Sequence, residues 1–163
     1  MNSPYDKIVD LLKSNEGQYS EIVHEAVYTS EEAAKVRGVS ASCGVKSLVL
    51  KAKTGFVLAI LPGDKKLDSK KFKKLPGIKD FRFATPEEVR EIMGCEIGAC
   101  YPFSRFSREA GFGSIAKLPM YADKSLSESV EIYFNPGVHT KTIKMAWEDL
   151  KNLEKPIIAD FVK

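Results

Sequence analysis

The sequence predicts a mixed α/β fold, and three observations predict it. Two adjacent runs rich in β-branched and aliphatic residues, Val45 to Ala52 and Phe56 to Leu61, are joined by Lys53, Thr54 and Gly55 and read as a hairpin. Helix-start signals interleave with such runs, at Thr29 with Glu32 and at Thr85, Pro86 and Glu88. Short segments of both kinds alternate along the chain with no internal repeat, long linker or low-complexity tail. At 163 residues the chain is expected to form one domain, spanning 1–163.

The elements follow in order. Ser3 as N-cap and Pro4 at the first helical position open a helix that puts Ile8, Leu11 and Leu12 on one face and stops near Asn15 and Gly17. A strand is expected from Glu21 to Tyr28. Thr29 and Glu32 then form a capping box, and Gly38 ends the short helix they open. The hairpin supplies the heart of the sheet. Asp68 caps a lysine-rich helix running to about Leu75, Pro76 and Gly77 turn the chain, and a short strand covers Phe81 to Ala84. Thr85 begins another helix that ends near Gly94. Cys95 to Ser114 has no clear period, and irregular stretches of this kind often carry sites. Strands near Ile115 to Tyr121, Val130 to Asn135 and Lys141 to Met145, a helix at Trp147 to Leu153 and a strand at Pro156 to Phe161 complete the chain.

Composition excludes several classes. With 44% hydrophobic and 29% charged residues, the chain has the balance of a soluble globule. Its longest apolar runs fall far short of the ~20 residues that cross a bilayer. Met1 to Leu12 lacks a basic leader and a cleavage site, so a cytoplasmic location is expected. Cys43, Cys95 and Cys100 show no Cys-x-x-Cys spacing, and the histidines are His24 and His139 alone; reduced thiols and no metal or other cofactor are expected. A net charge of +3 does not announce nucleic acid, yet Lys65, Lys66, Lys70, Lys71, Lys73 and Lys74 crowd one stretch with Asp64 and Asp68 nearby. That stretch reads either as a phosphate contact or as a solvated helix face.

Lys46 shares a strand face with Leu48 and Leu50. An ammonium there either escapes to water at the strand end or points into a pocket against an anion or polar carbonyl. Cys43 has no neighbouring histidine to serve as base and reads as core filling rather than a nucleophile. His24 reads equally as a strand histidine or a site wall. Gly111 and Gly113 lack the lysine and hydroxyl residue that a nucleotide-triphosphate loop requires.

Several segments, in order, resemble the family of YbaK and the prolyl-tRNA synthetase editing domain. They are Thr29-Ser30-Glu31-Glu32-Ala33-Ala34, Val45-Lys46-Ser47-Leu48-Val49-Leu50, Phe56-Val57-Leu58-Ala59-Ile60-Leu61-Pro62-Gly63-Asp64 and Ala84-Thr85-Pro86-Glu87-Glu88-Val89. Gly98-Ala99-Cys100-Tyr101-Pro102-Phe103 is similar to the family's Gly-x-x-x-Pro loop, and the likeness runs from about His24 to Phe161. The resemblance implies a compact domain with a mixed, strongly curved central β-sheet flanked by short helices. It also implies hydrolysis of the ester joining a wrong amino acid to the end of a tRNA.

The resemblance makes Lys46 the pocket lysine, an electrostatic anchor for the substrate carbonyl or the adjacent phosphate. Gly98 and Pro102 bound a loop whose main chain orients the aminoacyl end and a water. An aminoacyl ester is already activated, so positioning and oxyanion stabilisation suffice without a strong side-chain base. Tyr28, Ser47, Ala99, Cys100 and Tyr101 are expected against the substrate, with Cys100 shaping the pocket rather than attacking. Asn135, Gly137 and His139 occupy a late turn near the terminal adenosine, where this sequence departs from the family pattern. Lys65, Lys66, Lys70, Lys71 and Lys74 are expected to meet phosphates of the acceptor stem. The segment Tyr28 to Gly38 is similar to the branch that clears serine and threonine, while other branches clear alanine or cysteine. The implied partners are mischarged tRNA and a synthetase, with no DNA or membrane; a non-catalytic tRNA- or synthetase-binding module of the same fold is the alternative.

Overall fold

The structure is a computed structural model that describes residues 3–14, 18–107 and 118–163. Helix α1, Pro4–Ser14, is capped as expected: the Asp6 N–H donates to Ser3 Oγ at 3.2 Å, and Ile8 and Leu12 are buried beneath it. The expected end near Asn15 and Gly17 and the Gly111 and Gly113 loop lie outside the described residues. Strand β1, Tyr19–Val23, starts earlier than expected and stops well short of Tyr28. Val23 pairs with Lys141, and beyond that pair the regular ladder gives way to single bonds, from the His24 N–H to the Thr140 carbonyl at 2.9 Å and from the Val27 N–H to the His139 carbonyl at 3.1 Å.

Helix α2, Ser30–Arg37, carries both halves of the Thr29–Glu32 capping box and ends at Gly38 with φ +71°. Strands β2, Val45–Ala52, and β3, Gly55–Pro62, form the hairpin with Ala52 opposite Gly55, so Lys53 and Thr54 alone make the turn. Asp68 caps the short helix α3, Ser69–Lys73, which is followed by β4, Phe81–Phe83. Helix α4, Pro86–Met93, has the Thr85–Glu88 capping box, and Gly94 ends it at φ +68°. Strands β5, Met120–Asp123, β6, Glu131–Phe134, and β7, Lys141–Ala146, precede helix α5, Trp147–Glu154, and strand β8, Ile157–Ala159.

Two sheets result. The mixed one has five strands in the order β4-β2-β3-β5-β8, antiparallel around β2 and parallel from β3 to β8; a second, antiparallel sheet has the order β1-β7-β6. Both faces of β3 are covered, which explains its unbroken apolar run. Phe56, Leu58 and Ile60 join Val45 and Val49 in a core shared with α1, α4, α5 and the second sheet. Val57, Ala59 and Leu61 join Leu50 and Ala52 in a smaller core under α3 built on Phe72 and Phe161. Each fully buried aliphatic side chain contributes about 1.5–3 kcal/mol relative to exposure. No helix among the described residues is long and apolar enough to cross a membrane.

One mismatch of strand lengths positions the site. β4 pairs with Leu50 to Ala52 only, and the last bond along that edge is from the Ala84 N–H to the Val49 carbonyl at 2.9 Å. Peptide groups two residues apart in a strand face the same way, so Ser47 presents its N–H and C=O beyond the end of β4.

Candidate active site

A cavity of about 260 Å³ opens over that uncovered half of β2. α2 walls it with Ser30, Ala33 and Arg37, the turn after β3 contributes Gly63, and the loop after α4 contributes Ile97, Gly98 and Cys100. Tyr28, Phe83 and Ile97 are exposed large side chains of the lining, so the rim is largely apolar. The volume falls just below the ~300 Å³ lower end of small-molecule pockets.

Of the residues expected at the site, Lys46, Ser47, Tyr28, Gly98, Cys100 and Asn135 line this cavity. Lys46 stands opposite Leu61 near the start of β2 and is half-buried at the cavity lining. Burial lowers its pKa from the ordinary lysine value, with Glu31 and Asp64 working against that shift and Lys66 adding to it. Ser47 Oγ is buried and has no hydrogen-bond partner. Gly98 has φ +91°, a conformation that favours glycine.

The other loop residues act behind the cavity. Ala99 is buried and its carbonyl accepts the Gly137 N–H at 3.0 Å, tying the loop to the late turn. Tyr101 is a correction to the expected substrate contact: it is fully buried and donates its hydroxyl to the Met93 carbonyl at 2.7 Å. Burial holds that phenol far above its usual range. Pro102 is buried beside it. Gly137, at φ +85°, packs against Pro4 and Tyr101 rather than the cavity. His139 Nδ1 donates to the Val27 carbonyl at 2.9 Å, and its ring lies 4.5 Å from that of Tyr28, so it props the cavity wall. Asn135 accepts from Arg37 at 3.2 Å and donates to the Val138 and Lys141 carbonyls, which occupies its amide within the turn.

Cys100 Sγ lies 3.8 Å from Cys95 Sγ; that hydrogen bond and burial raise the Cys100 thiol well above its ordinary pKa. It is a wall, not a nucleophile. Cys43 and His24 are not part of the lining. In the lysine stretch, Lys66, Lys70 and Lys74 are exposed and Lys65 is half-buried. Lys71 departs from the expectation of a free phosphate contact: it pairs with Asp160 at 3.1 Å and donates to the Val162 carbonyl at 2.9 Å. Arg37 was missed by sequence reading, because a cation in the last turn of a helix is the commonest place for one. Phe83 was read only as a strand residue.

A family model for the aminoacyl-tRNA editing domain matches residues 24–153. The multifunctional Ser/Thr-tRNA deacylase ProXp-y of Escherichia coli K12 is 31% identical over 162 residues, which is 96% of this chain and 92% of that one. The proline–tRNA ligase of Thermodesulfovibrio yellowstonii is 29% identical over 140 residues, 85% of this chain and 24% of the ligase. A crystal structure assigned as a trans-editing enzyme for prolyl tRNA synthetase superposes with a TM-score of 0.83 at 27% identity, covering 100% of this chain and 99% of that one. The chain belongs to the aminoacyl-tRNA editing domain family.

Proposed function

We propose that residues 1–163 act as one domain that removes serine or threonine from the acceptor end of mischarged tRNA, with Lys46 and the Gly98 to Pro102 loop as its reactive centre. The observation that carries this reading is the meeting of Lys46, Ser47 and Gly98 in one cavity of about 260 Å³. Water adds to the ester carbonyl carbon, the carbonyl oxygen becomes an oxyanion, and the bond to the ribose oxygen then breaks as that oxygen takes up a proton. The Lys46 ammonium stabilises the oxyanion, a role worth about 3–4 kcal/mol for a well-placed donor. Gly98 lets the loop backbone come close to the ester without a side chain in the way. The late turn and the exposed lysines Lys66, Lys70 and Lys74 guide the acceptor end, the latter through phosphate contacts.

Two features support a small polar amino acid. Ser47 brings an unpartnered hydroxyl and a free peptide edge to the cavity. The 31% identical relative is itself named for seryl and threonyl substrates. The test is turnover of purified protein and of Lys46→Ala on alanyl, cysteinyl, seryl and threonyl tRNAs. Release of serine or threonine by the wild type, lowered about 100-fold or more in the variant, is expected. Equal rates for the two proteins would refute the role of Lys46. No turnover on any of the four, with salt-sensitive tRNA binding retained, would make the chain a binding module instead.

A further inference from the structure

Arg37 and Lys46 are the charged residues of the cavity lining, and no aspartate or glutamate joins them. Arg37 is also mostly buried, and its neighbours orient it without neutralising it. Nε donates to Thr142 Oγ1 at 2.9 Å, Nη2 to Asn135 Oδ1 at 3.2 Å, and Nη1 to the Tyr133 carbonyl at a long 3.5 Å. All three acceptors are uncharged, and none of the ion pairs among the described residues includes Arg37. Burial lowers its pKa to about 10, the mark of a cation kept from water without a counter-charge.

The surrounding groups are set for a neutral frame. His24 Nδ1 donates to the Glu25 carbonyl at 2.7 Å, so in the neutral ring Nε2 accepts the Thr142 hydroxyl proton at 2.8 Å. Thr142 then keeps its lone pairs for Arg37 Nε. Gly44 leaves space on the other side, since a Cβ there would come within 3.1 Å of Arg37 Nη1. A guanidinium has five N–H groups, and three are used here. One remains on each terminal nitrogen, a fork matched to two oxygens of one anion. A buried cation without a partner is costly, and an anion arriving with the ligand removes that cost.

We propose that Arg37 is an oxyanion-binding residue of the cavity that takes a phosphate or carboxylate group of the bound ligand through the two free N–H groups of its fork. The inference rests on the reading that the cavity receives the aminoacyl end of tRNA. The ester itself offers no anion, and its α-amino group is a cation that two positive residues repel. The negative charge must come either from the phosphodiester on the 5′ side of the terminal ribose or from the carboxylate of the released amino acid.

The experiment is calorimetric titration of the full chain, as wild type, Arg37→Gln and Arg37→Lys. The probes are adenosine 5′-monophosphate against adenosine, and L-serine against L-serinamide. Wild type is expected to favour the charged member of one pair by on the order of tenfold, the size of one charge-assisted contact. Arg37→Gln is expected to bind both members of that pair alike, and Arg37→Lys to recover part of the preference. A preference confined to the monophosphate assigns the site to the phosphodiester, and one confined to serine assigns it to the product carboxylate. A wild type indifferent within both pairs overturns the proposal, whatever the folding of the variants. A preference that survives intact in a folded Arg37→Gln overturns it as well. Indifference in a wild type that still deacylates tRNA refutes this subsite alone, whereas a wild type without deacylase activity refutes the reading beneath it.

Discussion

A Cβ built on Gly98 would lie 3.4 Å from Cε1 of His139 and 3.4 Å from the Tyr28 carbonyl oxygen. His139 is itself held by the Val27 carbonyl and by the Tyr28 ring, so it cannot swing away without loosening the cavity wall. The φ of +91° at Gly98 adds a backbone penalty to any side chain. Gly98→Ala is therefore predicted to cost about 1–3 kcal/mol of stability and to lower kcat/KM on mischarged tRNA by about tenfold or more. Denaturant unfolding and steady-state kinetics check both. Wild-type kinetics in a folded variant would count against the loop as the positioning element.

Lys46 gives a pH signature. Burial lowers its pKa below the ordinary 10.5, so the ammonium is lost at a lower pH than on a solvated lysine. Enzymatic turnover, corrected for spontaneous ester hydrolysis, is predicted to fall on an alkaline limb below 10.5. Lys46→Arg is predicted to abolish that limb. The sign for stability is opposite to that of a salt-bridged lysine. Folding disfavours the protonated form, so the group's contribution improves as pH rises from its folded value toward the unfolded one. Lys46→Met is expected to raise the Tm at neutral pH while removing activity. A lowered Tm would contradict the desolvation account.

Ser47 is predicted to set polarity preference. Its buried hydroxyl has no protein partner and can turn toward a substrate hydroxyl. Ser47→Ala is expected to lower kcat/KM for seryl-tRNA relative to alanyl-tRNA by about 5- to 30-fold. An unchanged ratio would leave cavity size as the basis of selection.

Thiol chemistry is predicted to be absent from the reaction. Cys100 is buried with a raised pKa, so alkylation near neutral pH is expected to spare it and to reach the less buried Cys43 first. Cys100→Ala and Cys43→Ser are each expected to retain activity within about threefold, since neither removes an attacking group. Stoichiometric inactivation by iodoacetamide would reverse this assignment.

The lysine stretch divides into two functions. Lys70→Gln with Lys74→Gln is predicted to flatten the salt dependence of tRNA binding by about 0.7–0.9 per lost phosphate contact. Lys71→Gln is expected to weaken the attachment of the C-terminal segment instead, because Lys71 holds Asp160 and Val162. Urea titration and a salt series on the two variants separate the two effects. A flattened slope for Lys71→Gln alone would invert the division.

Helix boundaries were legible because their chemistry is local. Thr29 with Glu32, Thr85 with Pro86 and Glu88, and Asp68 before α3 each satisfy a helix end within a few residues, and each cap is present. Strand ends were less legible. The strand ending at Tyr28 in sequence reading stops at Val23, where regular pairing with Lys141 gives way to single bonds to Thr140 and His139, a distant relationship no local pattern contains. The same holds for Tyr101, whose place in the Gly-x-x-x-Pro loop pointed to the substrate while packing turned it toward Met93.

The sequence alone determined the class of fold, the capped helices, the hairpin, and the family through which Lys46 and Gly98 were singled out. These rest on short-range hydrogen bonding, apolar periodicity and ordered motifs, all of which are written along the chain. Tertiary structure alone decided that Lys46 and Arg37 line one cavity and that Lys71 is engaged. Whether a charge is solvated, paired or stranded depends on groups brought from elsewhere: Asp160 for Lys71, and Thr142, Asn135 and Tyr133 for Arg37. Burial and counter-charge belong to the assembled fold, and they make Arg37 a candidate ligand contact.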